Sequence, residues 1–302
     1  AGIEACVAGP LAEALVGHDP AGEPPVGVHL RLAGAVVANG GARAACEVAV
    51  LDLLARRAGV PLARFLGASA DAVATDVTIA ADGPAWHPAT LAAAGFDRVK
   101  VKVGLDPADV DRVVAIHRAD PRQPVRIDAN QAWDLAAATR AVEALQRADV
   151  PVEFVEQPLP AWDLAGHAEL RRRCGVPVVL DESVFTVHDL RRAVEQGAAD
   201  TVNIKLAKCG GLYAGLRIAG EAAAAGLGVM VGSMMESELG VSAAAALAAT
   251  VAPDQVHDLD AAWWSIDPDG DPGTPYAGGR FRLSPAPGLS GAERRVVTAA
   301  PA

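Results

Sequence analysis

From residue 73 onward, short runs of β-branched residues alternate with longer alanine- and leucine-rich segments whose apolar positions recur at helical spacing. The short runs predict strands at Ala74–Ile79, Arg98–Val103, Val125–Asp128, Phe154–Glu156, Val178–Asp181, Thr201–Lys205, Gly228–Val231 and Val256–Asp258. Between them, Pro107–Ala119, Leu135–Arg147, Leu164–Cys174, Val187–Gln196, Leu212–Ala225 and Glu238–Ala249 read as helices, several closed by glycine. Eight strand-helix units in a row favour a TIM-like barrel over an open sheet. Residues 1–72 follow another pattern, with a helix from Ile3 to Leu15, a Pro/Gly loop at Asp19–Val26 and a helical segment from Ala35 to Ala58. The tail from Ile266 is rich in Gly and Pro and predicts no further helix. Both ends are expected outside the barrel, over one of its mouths.

Composition narrows the function classes. At 302 residues and 51% hydrophobic content the chain can fill a large core. There are 26 basic against 37 acidic residues, a net charge of -11, and no Lys/Arg run, which argues against a nucleic-acid partner. No apolar run approaches the roughly 18 residues of a membrane span, and no signal peptide opens the chain, so a cytoplasmic protein is expected. Cys6, Cys46, Cys174 and Cys209 form no C-x-x-C pair, which predicts reduced thiols rather than a disulfide framework or a zinc site. The chain opens at Ala1 without a methionine, and the expectation is that an N-terminal portion is processed, removed or not represented.

In such a barrel the chemistry sits at the C-terminal ends of the strands. Those ends read Lys102, Asp128, Glu156, Asp181 and Lys205, separated by 26, 28, 25 and 24 residues, one unit each, so the five side chains should converge on one mouth. Any single acid there could cap the next helix or face water; three at equivalent positions are hard to explain that way. Three carboxylates without His or Cys make a hard, all-oxygen site suited to Mg²⁺, with Mn²⁺ as a possible substitute. Glu153 and Glu182 compete as ligands, but Glu153 precedes its strand and Glu182 points away from Asp181.

The stretch "RVKVKVGLD" supplies the base. A carboxylate substrate on Mg²⁺ has an acidified α-proton, because the enediolate formed on deprotonation puts charge where the metal stabilises it. A neutral lysine can remove that proton, and for an amine to be neutral near pH 7 its pKa must fall from about 10.4, by burial or an adjacent cation. Lys100 and Lys102 share a strand face, so Lys100 is the expected adjacent cation, while Val99, Val101 and Val103 face the helices. Lys205 would approach from the other side. One base removing a proton and a second returning it to the opposite face inverts a stereocentre.

The motifs "VKVKVG", "RIDANQAW", "FVEQP", "LDES" and "VNIKLAKCGGL", in this order and spacing, resemble the enolase superfamily, in the branch with a lysine on both the second and the sixth strand. A Lys base with Mg²⁺ and an ene-diolate is a general pattern of that superfamily. The resemblance implies a modified (β/α)7β barrel (73–265) and an α+β capping domain, here partial, from residues 1–72 and the returning segment 266–302. It implies Lys102 and Lys205 as acid/base lysines, Lys100 as helper, and Asp128, Glu156 and Asp181 as metal ligands. "MVGSMMESELG" and "HDLDAAWW" look like dipeptide epimerases, in which the pair matching Asp258 and Asp260 receives the α-ammonium of the dipeptide. Spacing alone leaves an Asx-type turn open for that pair, and Ser233 could bond substrate or cap the next helix. In the family a mobile loop near the N-terminus selects the second side chain, and the resemblance places the start of this sequence after it.

The expected activity is therefore epimerisation of the α-carbon of a dipeptide's C-terminal residue, with a small-molecule substrate and possible homo-oligomers. o-Succinylbenzoate synthase and muconate cycloisomerase chemistry are rivals that need no ammonium site. A catalytically impaired, metal-binding barrel without its lid is the rival of another class.

Overall fold

The computed structural model describes residues 2–80, 95–96, 98–104, 106, 108–122, 124–265 and 274–289. Its centre is a parallel sheet of seven strands in sequential order: β2 Val77–Ile79, β3 Val99–Lys102, β4 Val125–Asp128, β5 Val152–Glu156, β6 Val178–Leu180, β7 Thr201–Lys205 and β8 Gly228–Gly232. A second sheet runs β10-β11-β1-β9, with β1 Ala72–Thr75, β9 Val256–His257, β10 Tyr276–Ala277 and β11 Arg280–Arg282.

The run expected as one strand from Ala74 to Ile79 is thus divided at Asp76 between the two sheets. The same division closes the barrel. Asp258 N–H donates to Val231 O at 3.0 Å and Ser233 N–H to Asp258 O at 3.0 Å, which joins β8 to the end of β9. β9 pairs in parallel with β1, and Asp76 N–H donates to His257 O at 2.9 Å. Counting β1 and β2 as one strand, the ring has eight strands, the TIM-like modified barrel read from the sequence.

Helices Asp109–Ala119, Leu135–Arg147, Leu164–Cys174, Val187–Gln196, Leu212–Ala224 and Glu238–Val251 follow strands β3 to β8. Three of these six helix starts carry side-chain caps. Asp134 and Asp163 accept from Ala137 and Gly166 N–H, and Thr186 with Asp189 forms a reciprocal capping box. Gly175 and Gly197 end two helices in the left-handed region. Pro107, the expected start of the first of these helices, lies outside the described residues.

Val99, Val101 and Val103 are buried in the core together with Val113 and Ile116 of the following helix. The strand's other face turns Lys100 and Lys102 into the barrel, as alternation requires.

Two helical expectations for the first 72 residues change. The segment Gly2–Leu15 is helical but bent at Gly9, whose φ of -106° and ψ of -108° precede Pro10. The helix expected from Ala35 to Ala58 starts only at Gly40, and an unexpected helix, Pro25–Ala35, precedes it; the two are separated because Ala38 and Asn39 adopt left-handed φ of 63° and 45°. Asn39 then accepts from Ala42 N–H and starts the second helix. That helix packs on the Leu206–Cys209 turn so closely that a Cβ at Gly40 would lie 2.5 Å from Ala207 O.

The returning segment forms the β10–β11 hairpin and then reaches the first residues again. Gly288 N–H donates to Val60 O and Leu62 N–H to Gly288 O, both at 2.9 Å, and Leu289 N–H donates to Asp52. Residues 266–273 and 290–302 of that segment lie outside the described residues. Among the described residues no helix is long and apolar enough to cross a membrane.

Candidate active site

Strand register sets the first half of the site. Lys102 pairs with Asp128 and Asp128 with Glu156 across β3, β4 and β5, and Asp181 follows β6 directly. Asp128, Glu156 and Asp181 are all buried, and each is held by a lysine ammonium. Lys102 Nζ donates to Asp128 Oδ2 at 2.5 Å. Lys100 Nζ lies 3.5 Å from Glu156 and 3.7 Å from Asp128. Lys205 Nζ donates to Asp181 Oδ2 at 2.8 Å, with Lys208 against the other oxygen. Lys102 and Lys205 lie on the second and sixth strands of an eight-strand ring, so they stand on opposite walls.

The second half gathers where the barrel closes. Asp76, Asp258 and Asp260 are buried, and one carboxylate oxygen from each lies within 4.8 Å of the other two. Among the described residues this trio, not Asp128, Glu156 and Asp181, is the group so tightly drawn together. Asp76 is bonded to Arg126 at 2.9 Å, and Asp258 Oδ2 lies 2.5 Å from Lys100 Nζ and 3.9 Å from Lys205 Nζ. Asp260 Oδ2 accepts from Thr78 N–H at 2.6 Å and from Trp264 Nε1–H at 2.8 Å. The Oδ1 atom of Asp76 is buried without a hydrogen-bond partner. Ser233 N–H and Oγ–H both donate to Asp258 O, so this residue fastens β8 to β9. The next helix starts after Ser237 instead.

Electrostatics follow from this interleaving. Burial pushes the Lys100 and Lys205 amines toward neutrality, but surrounding carboxylates outweigh it. Asp258, Glu156 and Asp128 hold Lys100 well above its ordinary pKa, and Asp181, Asp258 and Glu156 raise Lys205. Burial also raises Asp181, yet Lys208 and Lys205 win and keep it well below the usual carboxylate range. Glu156 goes the other way, raised by burial and by Asp128 and Asp181 despite Lys100. A buried, all-oxygen donor set in mutual repulsion fits a hard divalent cation.

Several participants escaped the sequence reading. Same-face alternation could have found two of them. Arg126 lies two before Asp128, and Asn203 two before Lys205, whose Nδ2–H donates to Glu156 at 2.7 Å. Lys208, three beyond Lys205, donates to Asp181 O at 2.5 Å and Asn203 O at 3.0 Å, fixing the loop ends. Gln157 does likewise, its Oε1 accepting from Asp181 and Ser183 N–H. Of the competing ligands, Glu153 bonds Arg126 and Arg98 at the opposite strand end, and Glu182 accepts from Asn130 Nδ2–H at 3.1 Å.

Comparison with known proteins agrees with this geometry. Residues 87–293 match the family profile described as enolase C-terminal domain-like, and residues 1–67 that of the mandelate racemase / muconate lactonizing enzyme N-terminal domain. The chain belongs to the enolase superfamily. Within the superfamily it falls in the dipeptide epimerase branch, a branch of isomerases. It is 35% identical over 265 residues to the L-Ala-D/L-Glu epimerase of Clostridium acetobutylicum, covering 86% of this chain and 74% of that protein. It is 39% identical over 226 residues to a hydrophobic dipeptide epimerase of Enterococcus faecalis, covering 73% of this chain and 63% of that protein. The substrate-liganded structure of the L-Ala-D/L-Glu epimerase from Bacillus subtilis superposes with a TM-score of 0.85 at 33% identity, over 95% of this chain and 81% of that one.

Proposed function

We propose that this enzyme epimerises the α-carbon of the C-terminal residue of a dipeptide by a two-lysine 1,1-proton transfer, with Mg²⁺ as the resident cation and Mn²⁺ as a substitute. The observation that carries the reading is the pair of lysines on opposite walls, Lys102 and Lys205, with Asp258 reaching between Lys100 and Lys205. Asp128, Glu156 and Asp181 would hold the cation. When bound, it supplies positive charge to the substrate carboxylate and so acidifies the neighbouring α-proton. Lys102 takes the proton from one face and Lys205 returns one to the other, or the reverse for the epimer.

Asp258 and Asp260 receive the α-ammonium of the dipeptide. Two of the three carboxylates in that cluster are already bonded to fixed cations, Asp76 to Arg126 and Asp258 to Lys100. The cluster thus carries one more carboxylate than cation, which matches a monovalent ammonium better than a divalent ion. Asp181 and Asp258 are also the carboxylates that most raise Lys205's proton affinity. Once both are engaged elsewhere, burial and Lys100 favour the neutral amine.

The test is exchange of the substrate α-proton in D₂O with Mg²⁺ across a panel of L,L-dipeptides, followed by proton NMR. Exchange with accumulation of the L,D epimer is expected, abolished by a chelator and restored by Mg²⁺ or Mn²⁺. Dehydration of succinylcyclohexadiene carboxylate without dipeptide exchange would replace the reading with o-succinylbenzoate synthase chemistry. Intact metal binding without turnover of either substrate would make the chain a binding barrel.

A further inference from the structure

Trp264 is an exposed aromatic side chain that the structure holds still. Its surface is 48% exposed, yet its Nε1–H donates to Asp260 Oδ2 at 2.8 Å. Its ring meets Trp263 edge to face at 4.7 Å and 80°, and Trp263 meets Phe96 in the same way at 5.2 Å and 80°. A chain of three aromatic rings on one side and a hydrogen bond to a buried carboxylate on the other leave the indole little rotational freedom. A large apolar surface fixed in this way and still open to solvent has a low entropic cost for binding a ligand group.

Its position says which group. Both donors to Asp260, Thr78 N–H and the Trp264 indole, fall on Oδ2 and fix the plane of the carboxylate. An ammonium bonded to Asp260 carries the N-terminal α-carbon of the dipeptide, and that residue's side chain starts two covalent bonds from the nitrogen. It lies within reach of the indole bonded to the same carboxylate. We infer that Trp264 forms the wall of the subsite for the side chain of the dipeptide's N-terminal residue, and that this subsite takes a hydrophobic side chain, aromatic or branched. An acidic side chain there would meet Asp260 and Asp258 at close range. The inference rests on the dipeptide reading above and adds the class of its N-terminal residue.

The experiment measures kcat/KM for α-proton exchange with dipeptides sharing one C-terminal residue and carrying Ala, Leu, Phe, Glu or Lys at the N-terminus. The wild-type chain should prefer Leu and Phe over Ala by about tenfold or more, the scale of an apolar pocket contact. Trp264→Ala, which also loses the bond to Asp260, should lower kcat/KM for every dipeptide but most for Leu and Phe, so that their preference over Ala largely disappears. Trp264→Phe, which keeps an aromatic surface but loses the bond to Asp260, should retain the preference and raise KM for all five. It also serves if Trp264→Ala does not fold, since Trp264→Phe losing the preference would then overturn the inference. An equal loss for every dipeptide in Trp264→Ala, or a wild-type preference for Glu or Lys, sinks the Trp264 assignment alone. Absence of exchange with any dipeptide sinks the dipeptide reading and this inference with it.

Discussion

Lys100 Nζ lies 2.5 Å from Asp258 Oδ2, a bond that crosses from the second strand of the barrel to the end of the eighth. Lys100 is fully buried and also faces Glu156 and Asp128. Removing a single partner of a buried ion pair costs more than the pair contributes, because charges are left without compensation. Lys100→Met is expected to lower stability by about 3–5 kcal/mol in urea unfolding without added metal. Lys102→Met, whose side chain is 29% exposed and whose loss leaves Asp128 still facing Lys100, should cost less than Lys100→Met. Equal losses in the two variants would show that Lys100 is not the charge that balances this interior.

The two-wall arrangement of Lys102 and Lys205 makes a stereochemical claim that kinetics can separate. Lys205→Ala should retain α-proton exchange from one enantiomeric face while net epimerisation falls by about 10²–10⁴, the usual contribution of a positioned acid or base. Lys102→Ala should retain exchange from the other face. Proton NMR in D₂O with the L,L and L,D dipeptides as separate substrates reads both. If both variants lost exchange from the same face, the lysines would not be on opposite sides of the substrate.

Much of this site was legible before the structure, because a barrel repeats one unit and Lys102, Asp128, Glu156, Asp181 and Lys205 recur at its period. Period finds strand ends; it does not find which side chains touch. The grip of Lys100 on Asp258 joins residues 158 positions apart and depends on how the ring closes. Asp76 was hidden for a related reason: within a continuous apolar run it marks where the chain passes from one sheet to the other, which alternation along a single strand cannot signal. The raised proton affinity of Lys205 depends on its distance to Asp181, which the sequence does not show. The late start of the early helix, at Gly40 rather than Ala35, reflects a left-handed pair at Ala38 and Asn39 that composition does not advertise.

Gly232 gives a way to move Lys205 without changing its chemistry. A Cβ at this position would lie 2.8 Å from Lys205 Cε and 2.6 Å from Asn203 Oδ1, inside the barrel. Gly232→Ala should therefore displace the amine while leaving Asp258 and Asp260 in place. Since misplacement by about 1 Å can reduce rate by about 10²-fold, kcat should drop by at least tenfold with KM little changed. A proportional rise in KM instead would mean that the methyl group obstructs substrate binding rather than the base.

His257 makes the barrel's closure sensitive to acid. Its Nδ1 accepts from Val231 N–H at 3.1 Å, so the proton sits on Nε2, which donates to Ala252 O at 3.0 Å. Both ring nitrogens are thus used in the neutral form, and burial pushes the imidazole down to about 4. In the unfolded chain a histidine titrates near 6.5. Between those values the unfolded state binds more protons than the folded one, so stability rises with pH across this window. It is fully present above about pH 6.5, is lost progressively as pH falls, and reaches its limit near pH 4, with about 3 kcal/mol at stake. His257→Gln keeps one donor and one acceptor without the titration. The stability advantage of the wild-type chain over this variant in urea unfolding should therefore shrink by about 3 kcal/mol between pH 7 and pH 4. A difference that stays constant across that range would mean that His257 is not held neutral at the β8–β9 seam.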